Sequence, residues 1–158
     1  LKIISTIKNG NKIILFGNGG SAADAQHIAA ELIGRFQLDR KSFPAIALST
    51  DSSVITSLSN DYSFDLVFSR QCESLVGKND LVIGISTSGN SKNVINGLQT
   101  AKQIGAYTIG LLGHADGQIN KIVDIAINVD SKSTARIQEA HRTIYHVICE
   151  LVEKNLTM

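Results

Sequence analysis

The sequence predicts an α/β fold, a three-layer sandwich in which helices cover both faces of a five-stranded parallel sheet. Five short runs rich in Ile, Leu and Val lie at 12–16, 45–48, 81–85, 108–112 and 125–129. They show little period-2 alternation, as expected of strands buried on both faces. Helical stretches at 22–35, 52–59, 64–75, 92–104 and 134–156 fall between or after them. Strands interleaved with helices call for right-handed crossovers and a parallel sheet. Turn residues bound each element.

In chain order, Lys8-Asn9-Gly10-Asn11 turns into the first strand. That strand runs into Phe16-Gly17-Asn18-Gly19-Gly20-Ser21, where Ser21 is placed to cap the next helix. The second strand leads through Ser-Thr-Asp-Ser-Ser to a short helix, which Ser59-Asn60-Asp61-Tyr62 can stop. Gly77-Lys78-Asn79-Asp80 opens the third strand, whose exit reads Ile85-Ser86-Thr87-Ser88-Gly89-Asn90-Ser91. Gly105 closes the following helix. The last helix is apolar on more than one face, since Ile144, Val147, Ile148, Leu151 and Val152 exceed what one sheet face needs. No repeat, low-complexity tract or linker interrupts the pattern, so residues 1–158 read as one domain.

The totals exclude several classes. Fifteen basic residues against 14 acidic ones leave a net charge of +1, with no basic stripe interleaved with aromatics, which argues against nucleic acid. No apolar run approaches the ~18 residues of a membrane span, and no signal peptide precedes the first strand, although the sequence begins at Leu1 rather than Met. Cys72 and Cys149 form no CxxC pair and sit in apolar helical surroundings, where cysteine acts as a small buried hydrophobe. A chain without a disulfide framework suits a reducing cytoplasm.

Ligands of such sheets sit beyond the carboxyl ends of the strands, at the point where strand order reverses. The glycines of the first loop let the backbone approach a ligand, and the helix start behind them is a seat for an anion. The loop lacks the GxGxxG spacing of dinucleotide folds. In the loop after the third strand, Ser86, Thr87, Ser88 and Ser91 offer four hydroxyls within six residues beside a helix start. Hydroxyls and backbone N–H groups can surround phosphate oxygens without fixed charge. The bland alternative is a capped turn with solvated serines.

Two pairs carry chemistry. His27 and Glu31 stand at i and i+4 on one helix face, a spacing that also serves as a simple helix-stabilising contact. Gln138 and His146 lie about 80° apart around the last helix, so both can face one site. Two imidazoles, a carboxylate and an amide oxygen make a nitrogen/oxygen shell for a divalent metal such as zinc. Arg35 ends its helix and is expected to serve the dipole there, outside the site. His114 and His141 have no comparable partner and are expected to be structural or exposed.

The pair of loops, GNGGS after the first strand and STSGNS after the third, resembles the sugar isomerase (SIS) family from Asn11 onward. The resemblance implies a flavodoxin-like sheet and a phosphosugar whose phosphate sits on Ser86, Thr87, Ser88 and Ser91. His-x-x-x-Glu on one helix and Gln-x7-His on the last are similar to the phosphoheptose isomerase subfamily, which acts on sedoheptulose 7-phosphate. That likeness implies Glu31 as the base and His146 as its acid/base partner. It implies sugar contacts from Asn18, Gly19, Gly20, Ser21, Glu31, Asn60, Asp61 and Gln138. It also implies one zinc ion on His27, Glu31, Gln138 and His146. The two roles of Glu31 compete, because a carboxylate held tightly by zinc is a poorer base. Members of the family form homotetramers with sites shared between subunits and carry an N-terminal helix, of which residues 1–7 would be a remnant. The product would feed nucleotide-activated heptose for lipopolysaccharide or other surface glycans. A rival member is the non-catalytic regulator associated with the bacterial replication initiator, which the stretch 45–61 resembles as closely. Glu31 and His146, a base and an acid that a pure binding module does not need, favour the enzyme. A sugar-phosphate sensor fused to a DNA-binding module is a third possibility, but no helix-turn-helix segment is present.

Overall fold

A computed structural model describes residues 1–157. The chain runs α1 (Lys2–Lys8), β1 (Ile13–Gly17), α2 (Gly20–Ile33), β2 (Ala45–Ala47), α3 (Ser52–Asp61), α4 (Val67–Leu75), β3 (Leu81–Ser86), α5 (Lys92–Ile104), β4 (Tyr107–Leu112), β5 (Ile125–Asn128) and α6 (Thr134–Thr157). Short 3-10 turns cover Phe64–Leu66 and Ile119–Lys121. The five strands pair in parallel in the order β2-β1-β3-β4-β5. This is the flavodoxin-like order, and its reversal between β1 and β3 puts the two unusual loops side by side at the carboxyl edge.

The pleat sorts the side chains into two cores. Ile13 and Leu15 point to one face and pack with Ala25, Ile28 and Leu32 of α2 and with Tyr145, Cys149 and Val152 of α6. Ile14 and Phe16 point to the other and pack with Phe68 and Cys72 of α4 and with Val94 and Leu98 of α5. Residues 13–16 are fully buried, which explains their unbroken apolar run. Phe16 stacks on Phe68 with ring centroids 4.8 Å apart. Both cysteines are buried and unpaired, and burial pushes each thiol up to about 12. Among the described residues, no helix is long and apolar enough to cross a membrane.

The element boundaries differ from expectation at two informative places. Helix α2 begins at Gly20, not at residue 22, and Gly19 with φ 55° occupies its N-cap. Ser21 is therefore inside the first turn and buried, its side chain making no cap hydrogen bond. The carbonyl of Gly19 instead accepts from Ala22 and Ala23. A stretch expected to be one helix over 64–75 divides into a 3-10 turn, capped by the Ser63 hydroxyl accepting from Asp65 N–H at 3.1 Å, and α4. Asp51 caps α3 by accepting from Val54 N–H at 3.0 Å.

Candidate functional site

The hydroxyl loop is built as a nest. Ser86, the buried last residue of β3, lies 3.1 Å (Oγ to Oγ) from Ser91 and 3.4 Å from Ser88. Its carbonyl accepts from Gly89 and Gly113 N–H groups, which folds the loop back over the strand end. Gly89 takes φ 66°, a left-handed conformation that costs other residues energy, and packs against Gly117. Thr87 and Ser88 are left facing a cleft shared with Asn90, His114, Asp116, Lys132 and Thr134. The helix start of α5 lies immediately behind, so this concavity suits an anion.

The first loop is tied to this one. Asn18 and Asn93 exchange two side-chain hydrogen bonds, Nδ2 to Oδ1, at 2.8 and 2.9 Å. Asn93 is buried in the first turn of α5, so the pair bridges the switch point between β1 and β3. Gly20 faces the Gln138 side chain of α6 so closely that a Cβ there would overlap the amide nitrogen. The backbone at the start of α2 and the amide of Gln138 thus meet.

At the far end of α2, side chains from two helices converge. His27 Nε2 lies 2.9 Å from Glu31 Oε1. The His27 and His146 rings are 5.1 Å apart between centroids, and ligand-type atoms of His27, Glu31 and His146 all lie within 4.8 Å of one another. All three are half-buried, open enough for a substrate to reach. Gln138, Arg142 and His146 line one surface of α6 at four-residue intervals. Two imidazoles and a carboxylate at these separations are a donor set compatible with a zinc-like divalent ion.

Two buried acids that sequence reasoning missed hold this cluster. Asp24 accepts from Tyr145 Oη at 3.3 Å and from Arg142 at 3.2 Å, and Tyr145 Oη lies 3.1 Å from His27 Nδ1. Glu153 accepts N–H bonds from Phe36, Gln37 and Leu38 at 2.7–2.9 Å and from Arg40 Nε at 3.1 Å. Arg40 in turn donates to the carbonyls of Glu31, Leu32 and Gly34 and so caps the end of α2. The loop held in this way brings Phe36 against His146, with ring centroids 5.7 Å apart. Burial opposes the charge on Glu153, but these donors outweigh it and hold the carboxyl below its usual range. Spacing was the available signal: Asp24, His27 and Glu31 stand at i, i+3 and i+7 on one face of α2.

Not every expected residue joins the cluster. Asn60 and Asp61 are the exposed last residues of α3; Asn60 Nδ2 donates to Asp61 Oδ1 at 2.8 Å, and no hydrogen bond ties them to His27, Glu31 or His146. Arg35 is exposed beyond the end of α2. His141 is structural as expected: it is fully buried, its Nε2 lies 3.1 Å from the Leu112 carbonyl, and burial pulls its pKa down. His114, by contrast, is half-buried and lines the hydroxyl cleft.

Comparison with known proteins agrees with this geometry. Residues 1–113 match the model of the SIS domain family. The phosphoheptose isomerase of Pelobacter propionicus is 54% identical over 155 residues, which cover 98% of this chain and 82% of that protein. The solved phosphoheptose isomerase of Neisseria gonorrhoeae superposes with a TM-score of 0.92 at 42% identity, covering 97% of this chain and 82% of that one. That of Francisella tularensis gives 0.93 at 33% identity with the same coverage. A hydroxyl nest at the switch point, an imidazole–carboxylate cluster between α2 and α6, and relatives more than half identical along nearly the whole chain lead to one conclusion: the chain belongs to the SIS domain family, among the phosphoheptose isomerases.

Proposed function

We propose that this protein is an aldose–ketose isomerase converting sedoheptulose 7-phosphate to D-glycero-D-manno-heptose 7-phosphate. The observation that carries the reading is the convergence of Glu31 and His146, from helices far apart in sequence, in one solvent-reachable cluster. Ser86, Thr87, Ser88 and Ser91 anchor the phosphate, and Asn18, Gly19, Gly20, Ser21, Asn60, Asp61 and Gln138 bind the sugar. Glu31 takes the proton from C1 of the ketose. His146 protonates the carbonyl oxygen on C2 as the enediol forms. Glu31 then returns the proton to C2, and His146 recovers one from the C1 hydroxyl as the new carbonyl appears. Each group ends in its starting state, which a catalyst requires.

His27, Glu31, Gln138 and His146 would hold one zinc ion per subunit. When bound, zinc supplies Lewis acidity toward the sugar oxygens. The reading treats residues 1–158 as one SIS domain of a cytoplasmic homotetramer. The exposed apolar side chains Val147 and Leu151 on α6 support assembly through that helix. A coupled turnover assay on sedoheptulose 7-phosphate, run with and without a chelator, tests the proposal. Retained sugar-phosphate binding without turnover would turn the assignment to a non-catalytic SIS regulator.

A further inference from the structure

We propose that Asp24 and Tyr145 are positioning residues that hold the ring proton of His27 on Nδ1 and so present Nε2 as a lone-pair donor to a metal. The inference rests on the reading that His27, Glu31 and His146 form a metal centre. Oxygen atoms flank the His27 ring on both sides. Glu31 Oε1 lies 2.9 Å from Nε2, and Tyr145 Oη lies 3.1 Å from Nδ1 with Asp24 Oδ1 3.3 Å beyond it. A neutral imidazole has one proton and can satisfy only one side. A cation between Nε2 and Glu31 resolves the conflict, because the proton is then free to sit on Nδ1.

The direction of the relay follows from its far end. The Asp24 carboxylate is 2% exposed and can only accept, so it draws the single Tyr145 hydroxyl proton toward itself. Arg142 Nε donates to the same hydroxyl at 3.2 Å, and Arg142 also donates to Asp24. With its proton committed to Asp24, Tyr145 Oη is left as an acceptor for His27 Nδ1–H. Tyr145 is itself 2% exposed and packs edge-on against both His27 and His146, with centroids 5.4 and 4.8 Å away. The ring orientation is therefore fixed by packing and the ring proton by the relay. Outer partners of this kind set the tautomer of metal-ligating histidines in general.

The test uses the metal-free chain and zinc alone. Zinc affinity, measured by competition with a chromophoric chelator, is expected to fall about 10–100-fold in Tyr145→Phe, which keeps the ring and removes only the hydroxyl. Asp24→Asn, which removes the charge but keeps the shape, is expected to weaken zinc in the same sense. In the zinc-loaded wild type, long-range proton–nitrogen NMR is expected to find the His27 proton on Nδ1 and slow to exchange, and Tyr145→Phe is expected to lose that protected signal. His27 is one of only four histidines, which makes the assignment tractable. Unchanged zinc affinity in both variants, a wild-type His27 proton on Nε2, or a wild type that binds no zinc would each overturn the relay. Should neither variant fold, the wild-type proton position alone decides. A zinc-binding wild type that fails to turn over the heptose phosphate would sink the isomerase reading while leaving the relay standing.

Discussion

Replacing Glu153 by Gln removes one charge with almost no change of shape, and the structure dictates what should follow. Each carboxylate oxygen of Glu153 serves two donors: Oε1 accepts from Phe36 N–H and Arg40 Nε, and Oε2 from Gln37 and Leu38 N–H. A Gln amide has one oxygen and one NH2, so in either orientation two N–H donors meet another donor. The guanidinium of Arg40, 4% exposed, is also left without its countercharge. A broken buried ion pair costs about 3–5 kcal/mol. For a chain of this size that is a drop of roughly 6–20 °C in Tm. Calorimetry and urea melts of both proteins would measure it. The pH dependence supplies a second arm. The carboxyl is held below its ordinary value of 4.5 in the folded state, so its stabilisation is fully present above that value. It is lost as pH falls through the lower, folded-state value. The gap between wild type and variant should therefore be widest at neutral pH and close in acid. A loss below about 1 kcal/mol, typical of a surface pair, would refute the reasoning, as would a gap that does not narrow in acid.

Three further substitutions probe the site itself. Glu31→Gln should lower kcat by about 10²–10⁴-fold with little change in phosphate affinity, since it deletes the base and spares the hydroxyl nest; full activity would remove Glu31 from that role. Ser88→Ala should raise KM about tenfold or more by deleting a donor from the phosphate seat, and an unchanged KM would count against that loop. Gly20→Ala should leave Tm nearly unchanged, as alanine suits a first helical turn, yet its methyl displaces the Gln138 amide, so kcat/KM should fall at least tenfold.

Much of this architecture was legible in the sequence because it depends on local periodicity. The strand residues 13–16 read as buried on both faces because each contacts a core on its own side of the sheet. His27 with Glu31, and Gln138 with His146, were recoverable from helix geometry alone. What stayed hidden depends on contacts between distant segments. Arg40 and Glu153 are separated by 113 positions, and Asp24 and Tyr145 by 121, with nothing in the local pattern to pair them. The i, i+3, i+7 spacing sets Asp24 on the same face as His27 and Glu31, but nothing near Tyr145 in the sequence marks it as the partner. Ser21 misled for the opposite reason: its residue type is right for a cap, but Gly19 reaches a backbone conformation that starts the helix sooner.

Helix α6 does two jobs along one length. Its first half presents Gln138, Arg142 and His146 to the cleft, while its second half seats Cys149, Val152 and Glu153 in the core. A continuous helix transmits displacement from end to end, so the chemical groups cannot drift unless the keel of the molecule drifts with them. New substrate tolerance in this scaffold should therefore come by remodelling the strand exits at 18–19 and 87–91, where change leaves the keel untouched.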